Sequence, residues 1–178
     1  MAGGPVLGRA EARPRELTRI AVIADTHLPR GARRLPDECL ALLSEAGRIL
    51  HAGDFVAASV LEELQRLAPV EAVYGNMDSP ELQAALPERR VVSIEGVRVG
   101  LVHIPGPGAG RAERLVGWFP GCAVVVYGHT HMPELVQHRG LWILNPVSPT
   151  ERRRAPGHSM ALLDVDGSSV RVSLYALT

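Results

Sequence analysis

Residues 20–54 read IAVIADTHLPRGARRLPDECLALLSEAGRILHAGD, and their pattern sets the architecture. A continuous apolar run, IAVIA, is followed by a polar stretch. PDECLALLSEA at 36–46 then places apolar residues at helical spacing, and a second apolar run follows from Arg48. Strand, helix, strand is the signature of a βαβ unit, and strands apolar on both faces belong in a sheet covered by helices. Both runs end on a carboxylate, Asp25 and Asp54. Open α/β sheets bind their ligands at the carboxyl ends of such strands.

Outward from this unit the same grammar continues. AASVLEELQRLA at 57–68 reads as a second amphipathic helix, a strand follows near 70–74, and Ser79-Pro80 opens a short third helix with proline in its first turn. Residues 90–103 read as two strands joined at Glu95-Gly96, 111–119 as a helix, and 122–128 as a buried strand. The remainder forms two antiparallel hairpins turning at Arg139-Gly140 and Asp166-Gly167. The expected fold is α/β, with two packed mixed β-sheets, a double β-sandwich, flanked by helices. At 178 residues and 46% hydrophobic, the chain suits a single domain over 19–178, with 1–18 as a loosely held tail rich in Gly, Pro and Arg.

Net charge is +0 and the isoelectric point about 7.1, which argues against bulk binding of nucleic acid or an anionic membrane. Every basic residue is arginine; no function is taken from that. Cys39 and Cys122 form no C-x-x-C and no disulfide framework, so a reducing, cytoplasmic location is expected. No apolar run has the length of a signal peptide core or a bilayer span.

The chemistry lies at the strand ends. Five apolar runs finish on Asp25, Asp54, Asn76, His103 and His129, and two carry a second ligand type at i+2, Asp25-Thr26-His27 and His129-Thr130-His131. On extended chain, residues two apart point the same way, so each pair is expected to grip one centre. Seven N and O donors are too many for one metal and natural for two sharing a carboxylate. Glycine precedes Asp54, Asn76 and His129, as expected where a strand end turns sharply. Two divalent ions against two carboxylates leave a surplus of about +2, which favours an anionic substrate and phosphoryl chemistry.

The ordered set D-T-H at 25–27, G-D at 53–54, G-N at 75–76, His103 and G-H-T-H at 128–131 resembles the calcineurin-like metallophosphoesterases, in particular their small bacterial and archaeal phosphodiesterase branch. The resemblance covers about 19–165. It implies one metal held by Asp25, His27, Asp54 and His131, and a second by Asp54, Asn76, His103 and His129, with Asp54 bridging. It also implies the double sandwich and two divalent ions, Mn²⁺ foremost, with Fe, Zn²⁺ or Ni²⁺ as the other metals the family uses. The implied reaction is hydrolysis of a small phosphodiester by a metal-bridging hydroxide, with Asp54, Asn76 and His129 at the catalytic core. Hydrolysis of phosphomonoesters or nucleotide polyphosphates is the alternative with the same site. A protein-binding scaffold, as a retromer subunit that looks like this family has become, is the alternative without turnover, and a homo-oligomer is compatible with either.

Two positions depart from the family pattern. Met77 follows G-N where many larger relatives have a histidine that protonates the leaving group, so slow turnover is expected on poor leaving groups. Asn145-Pro146-Val147-Ser148 stands where relatives read N-P-G-S, so a loop reshaped around Val147 is expected. Arg30, Arg33 and Arg34, and Arg152, Arg153 and Arg154, are either phosphate-binding forks or solvated faces. Asp78 either orients a ligand histidine or caps the helix near Pro80. His51 reads as a buried, hydrogen-bonded core residue, and His138 and His158 as exposed strand positions.

Overall fold

The computed structural model describes residues 17–178, so most of the tail expected at 1–18 lies outside the described residues. Two five-stranded sheets carry the architecture. In the first, β1 (Thr18–Ile23), β2 (Arg48–His51) and β3 (Val70–Ala72) run parallel. Beside β1 lie β9 (His158–Asp166) and β10 (Ser169–Leu177), both antiparallel to their neighbours, giving the order β10-β9-β1-β2-β3. In the second sheet β5 (Val97–Val102), β6 (Val124–Tyr127) and β8 (Leu141–Asn145) run parallel, with β4 (Arg89–Ile94) and β7 (Glu134–His138) antiparallel at the edges. The fold is the expected pair of mixed sheets.

Strand alternation builds three apolar layers. Ile20, Val22 and Ala24 face inward from β1 and its end, meeting Val99 and Leu101 of β5, Val124 and Val126 of β6, and Ala161, Leu163 and Val165 of β9. The intervening Ala21 and Ile23 face outward, onto α1 (Asp37–Glu45), α2 (Ala58–Gln65) and α3 (Pro80–Ala85) through Leu43, Leu64 and Leu82. On the far side Val125 and Tyr127 pack against Leu115 and Phe119, at the buried side of α4 (Arg111–Trp118). Both faces of the central strands are therefore dry, which explains why they read as unbroken apolar runs.

The register brings the polar strand ends to one edge of the sandwich. Asp25 N donates to Gly53 O at 2.9 Å and His27 N to Asp54 O at 3.0 Å, which extends the β1–β2 pairing past both strands. Gly128 N donates to His103 O at 3.1 Å and does the same for β5 and β6. Loops from both sheets thus meet where their parallel strands end.

Candidate metal centre

The seven residues singled out from the sequence converge. Ligand atoms of Asp25, His27 and His131 lie within 4.8 Å of one another, and so do those of Asp25, Asp54 and His103. Asp54 Oδ2, of the second group, lies 3.6 Å from His27 Nε2 of the first and 3.2 Å from His103 Nε2 of its own. Asn76 Oδ1 lies 3.1 Å from His103 Nε2 and 2.9 Å from His129 Nδ1, which places the exposed Asn76 and His129 at the rim and the other five residues beneath. Asp25 belongs to both three-residue groups, whereas the sequence reading shared Asp54 alone.

The way the i+2 pairs work differs from expectation. Asp25, His27, His129 and His131 have φ of 52°, 46°, 70° and 52°, so neither pair is extended chain. His131 Nε2 approaches Asp25 Oδ1 at 3.4 Å and His27 Nε2 at 3.3 Å, while His129 turns to Asn76 and stacks edge-on to the His103 ring at 5.3 Å. The second pair is therefore split between the two sides of the cluster. Asp54, at φ 61°, is also left-handed. Such conformations cost about 1–3 kcal/mol each and persist only where the surroundings over-determine them, as they do at functional sites.

Those surroundings are identifiable. Asp78 is buried and accepts three backbone amides, Asp54 N at 3.2 Å, Val56 N at 2.7 Å and Gly75 N at 2.7 Å. It neither orients a histidine nor caps α3, whose N-cap is Ser79, accepting from Leu82 N. Its carboxylate locks the G-D loop onto the G-N loop. Gly75 is forced by the same closeness, because a Cβ there would overlap the Asp54 carboxylate.

Other contacts fix the histidines. His103 Nδ1 donates to Ala52 O at 2.8 Å and His131 Nδ1 to Glu151 O at 2.8 Å, so each ring turns Nε2, the nitrogen left for a metal, toward the cluster. His51 accepts from Gly53 N at Nδ1 (3.1 Å), meets Thr26 Oγ1 through Nε2 (3.1 Å), and stacks on Phe55, the buried structural role read for it. At the 145–148 turn the β-branched residue occupies a left-handed position. Val147 stands at φ 64°, braced by Val147 N donating to Asn145 Oδ1 at 2.8 Å. Ser148 is buried and donates to Asp25 O at 2.6 Å, so it supports the site from behind.

Electrostatics fit cation binding. Burial raises the Asp25 carboxyl to about 7, against the opposing charge of His103. Burial likewise lowers His131 to about 4 and lowers His27 and His129. Burial works against the charged form of Asp54 too, yet the hydrogen bond and charge of His103 hold its carboxyl below the usual range. His103 is raised, because Asp54 and Asp25 together outweigh its burial. Two carboxylates among four imidazoles, three of them held toward the neutral form by burial, are a donor set that suits divalent cations.

Sequence reasoning missed Glu151. The run T-E-R-R-R reads as a cationic stretch, but the one acid within it reaches the centre, with Oε2 3.7 Å from His27 Nε2.

The family model for the calcineurin-like phosphoesterase superfamily domain matches residues 18–168. The chain belongs to that superfamily. A probable metallophosphoesterase of Methanothermobacter thermautotrophicus is 38% identical over 153 residues, 85% of this chain and 88% of that one. Among solved structures, Thermotoga maritima protein TM1076 superposes with a TM-score of 0.72 at 34% identity, covering 90% of this chain and 99% of its own. Vacuolar protein sorting 29 of Cryptosporidium parvum superposes at 0.76 with 26% identity, covering 91% and 92%. Membership makes this a metal-dependent phosphoesterase fold, and groups able to hold a metal cluster within it. Among the described residues no helix is long and apolar enough to cross a membrane.

Proposed function

We propose that the protein hydrolyses small phosphodiesters with two divalent cations, Mn²⁺ foremost, as a cytoplasmic enzyme. Asp25, His27, Asp54 and His131 hold one cation; Asp54, Asn76, His103 and His129 hold the other. The observation that carries this reading is the position of Asp54 Oδ2, within 3.6 Å of a ligand nitrogen on either side. When bound, such a pair supplies an activated water and a clamp for the phosphate oxygens.

The residues supply the rest. The Nδ1 bonds of His103 and His131 fix ring orientation before any ligand arrives. His129 N donates to the Asp25 carboxylate at 3.0–3.1 Å, which joins the two loops. Asn76 and His129 at the exposed rim are the groups a phosphate meets first. Met77 is 53% exposed and cannot donate a proton, so the leaving alkoxide departs without an acid from this position, and activated esters are favoured.

The test is the initial rate of Mn²⁺-loaded protein on bis(p-nitrophenyl) phosphate and p-nitrophenyl phosphate. The diester is expected to turn over faster, and His129→Ala to lower kcat/KM by more than the roughly 10–100-fold that loss of an outer-shell partner costs. A faster monoester would move the substrate class, and no turnover with any divalent metal would end the hydrolase reading. A protein-binding role is the second reading, favoured by the exposed apolar Met77, Ile104 and Met132 beside the ligand motifs. It predicts bound metal without turnover.

A further inference from the structure

Three guanidiniums converge on one carboxylate beside the metal centre. Arg30 Nη1 lies 3.2 Å from Glu151 Oε1, Arg33 Nη1 3.3 Å from Oε2, and Arg153 Nε 3.8 Å from Oε1. Two of the arginines follow β1 and the third lies in the loop between β8 and β9, so the fold, and not a local run of charge, assembles them. Arg152 takes no part; its Nη1 donates to Ala155 O at 3.2 Å. Three cations against one anion leave a local surplus of positive charge at the edge of the site.

The geometry separates an inner anion from outward donors. The Glu151 side chain is 13% exposed, whereas Arg30 is 65% and Arg153 48% exposed. Of the three contacts only that of Arg30 is a hydrogen bond, while Arg33 Nη1 and Glu151 Oε2 are buried with no hydrogen-bond partner. Arg30 and Arg153 thus keep donors facing solvent, while Arg33 Nη1 is buried against the carboxylate. Glu151 Oε2 lies 3.7 Å from His27 Nε2, which sets the arginines that gather on this carboxylate beside the ligand cluster. Arginine forks bind phosphate in two-point fashion, and a half-solvated set beside a phosphoryl-transfer site has that use open to it.

We propose that Arg30, Arg33 and Arg153, gathered by Glu151, form a second phosphate subsite that selects small substrates bearing another phosphate next to the scissile one, as nucleoside polyphosphates do. This rests on the metal-dependent phosphoesterase reading. Glu151 is a positioning residue that holds the fan together.

The probes are AMP and α,β-methylene-ADP, which differ by one phosphate, titrated calorimetrically into the Mn²⁺-loaded full chain. Wild type should bind the two-phosphate probe at least tenfold more tightly. Arg30→Ala and Arg153→Ala, both at exposed side chains, should each cut that ratio at least fivefold with metal content unchanged. A wild-type ratio near one, or a ratio the substitutions leave intact, overturns the subsite and reduces the fan to neutralisation of Glu151. Turnover of bis(p-nitrophenyl) phosphate is measured alongside. Its absence with an intact, arginine-dependent ratio would sink the hydrolase reading and spare the subsite.

Discussion

Asp78→Asn should loosen the metal centre without touching a ligand. The carboxylate receives Val56 N on Oδ1, and Asp54 N and Gly75 N on Oδ2. An amide in the same place has one acceptor oxygen. In its better orientation it keeps the pair on Oδ2 and turns an NH₂ against the Val56 amide. Two bonds then fall from charge-assisted to neutral strength, a loss of about 1 kcal/mol each, and one buried amide is left unmet at about 1–3 kcal/mol. Removing a buried charge beside Asp54 returns part of this, since burial and the Asp54 charge both raise the Asp78 carboxyl. The net expectation is a destabilisation of about 2–3 kcal/mol, or a fall in Tm of about 5–10 °C. Urea denaturation of metal-free protein reads the stability, and metal analysis reads the site. Asn76 and Asp54 lose their common anchor, so the variant should also bind its second Mn²⁺ more weakly. A variant within about 0.5 kcal/mol of wild type that retains both metals would refute the claim that this carboxylate assembles the two loops.

Metal binding should release protons below neutrality, because burial holds Asp25 protonated up to about pH 7. Calorimetric Mn²⁺ titrations in buffers of different ionisation heat should show release of about one proton or more at pH 6, falling toward none above pH 8. Heats independent of buffer would contradict it. The same shift makes Asp25 favour the metal-free fold at low pH. Its folded pKa is raised from 3.8, so its contribution is fully present below about pH 4 and is lost as pH rises through about 7. Added Mn²⁺ should remove that loss in thermal melts near pH 8, and a melt the metal leaves unchanged would count against Asp25 as a ligand. At Val147, φ 64° inverts the usual order of small residues. Val147→Gly should be more stable to urea than Val147→Ala by about 1 kcal/mol, and the reverse order would show that this turn is not left-handed.

The fold was legible because its central strands are buried on both faces. IAVIA and VVVY read as interior strands, and the helices after β1, β2 and β5 lead to parallel neighbours in their own sheets. The clustering of the candidate residues was legible for the same reason: an Asp or His directly after such a run stands at a sheet edge. What stayed hidden depends on contacts remote in sequence. The split of His129 from His131 follows from left-handed residues, a conformation that these residue types do not announce. Asp78 serves Asp54 and Val56, more than 20 positions away, and Glu151 reaches His27 across 124 residues, so no local pattern could reveal either role. At Val147 the positive φ raised by the comparison with N-P-G-S is present, and a β-branched residue adopts it at a cost.

The central claim is that strand ends from two sheets cage a pair of cations around Asp54. Crystals of the Mn²⁺-loaded protein, measured for anomalous scattering at the manganese edge, test it directly. The account predicts two peaks about 3.5–4 Å apart, one beside His27 and His131 and one beside His103 and His129, with the Asp54 carboxylate reaching both. A single peak, or a pair that Asp54 does not touch, would contradict it.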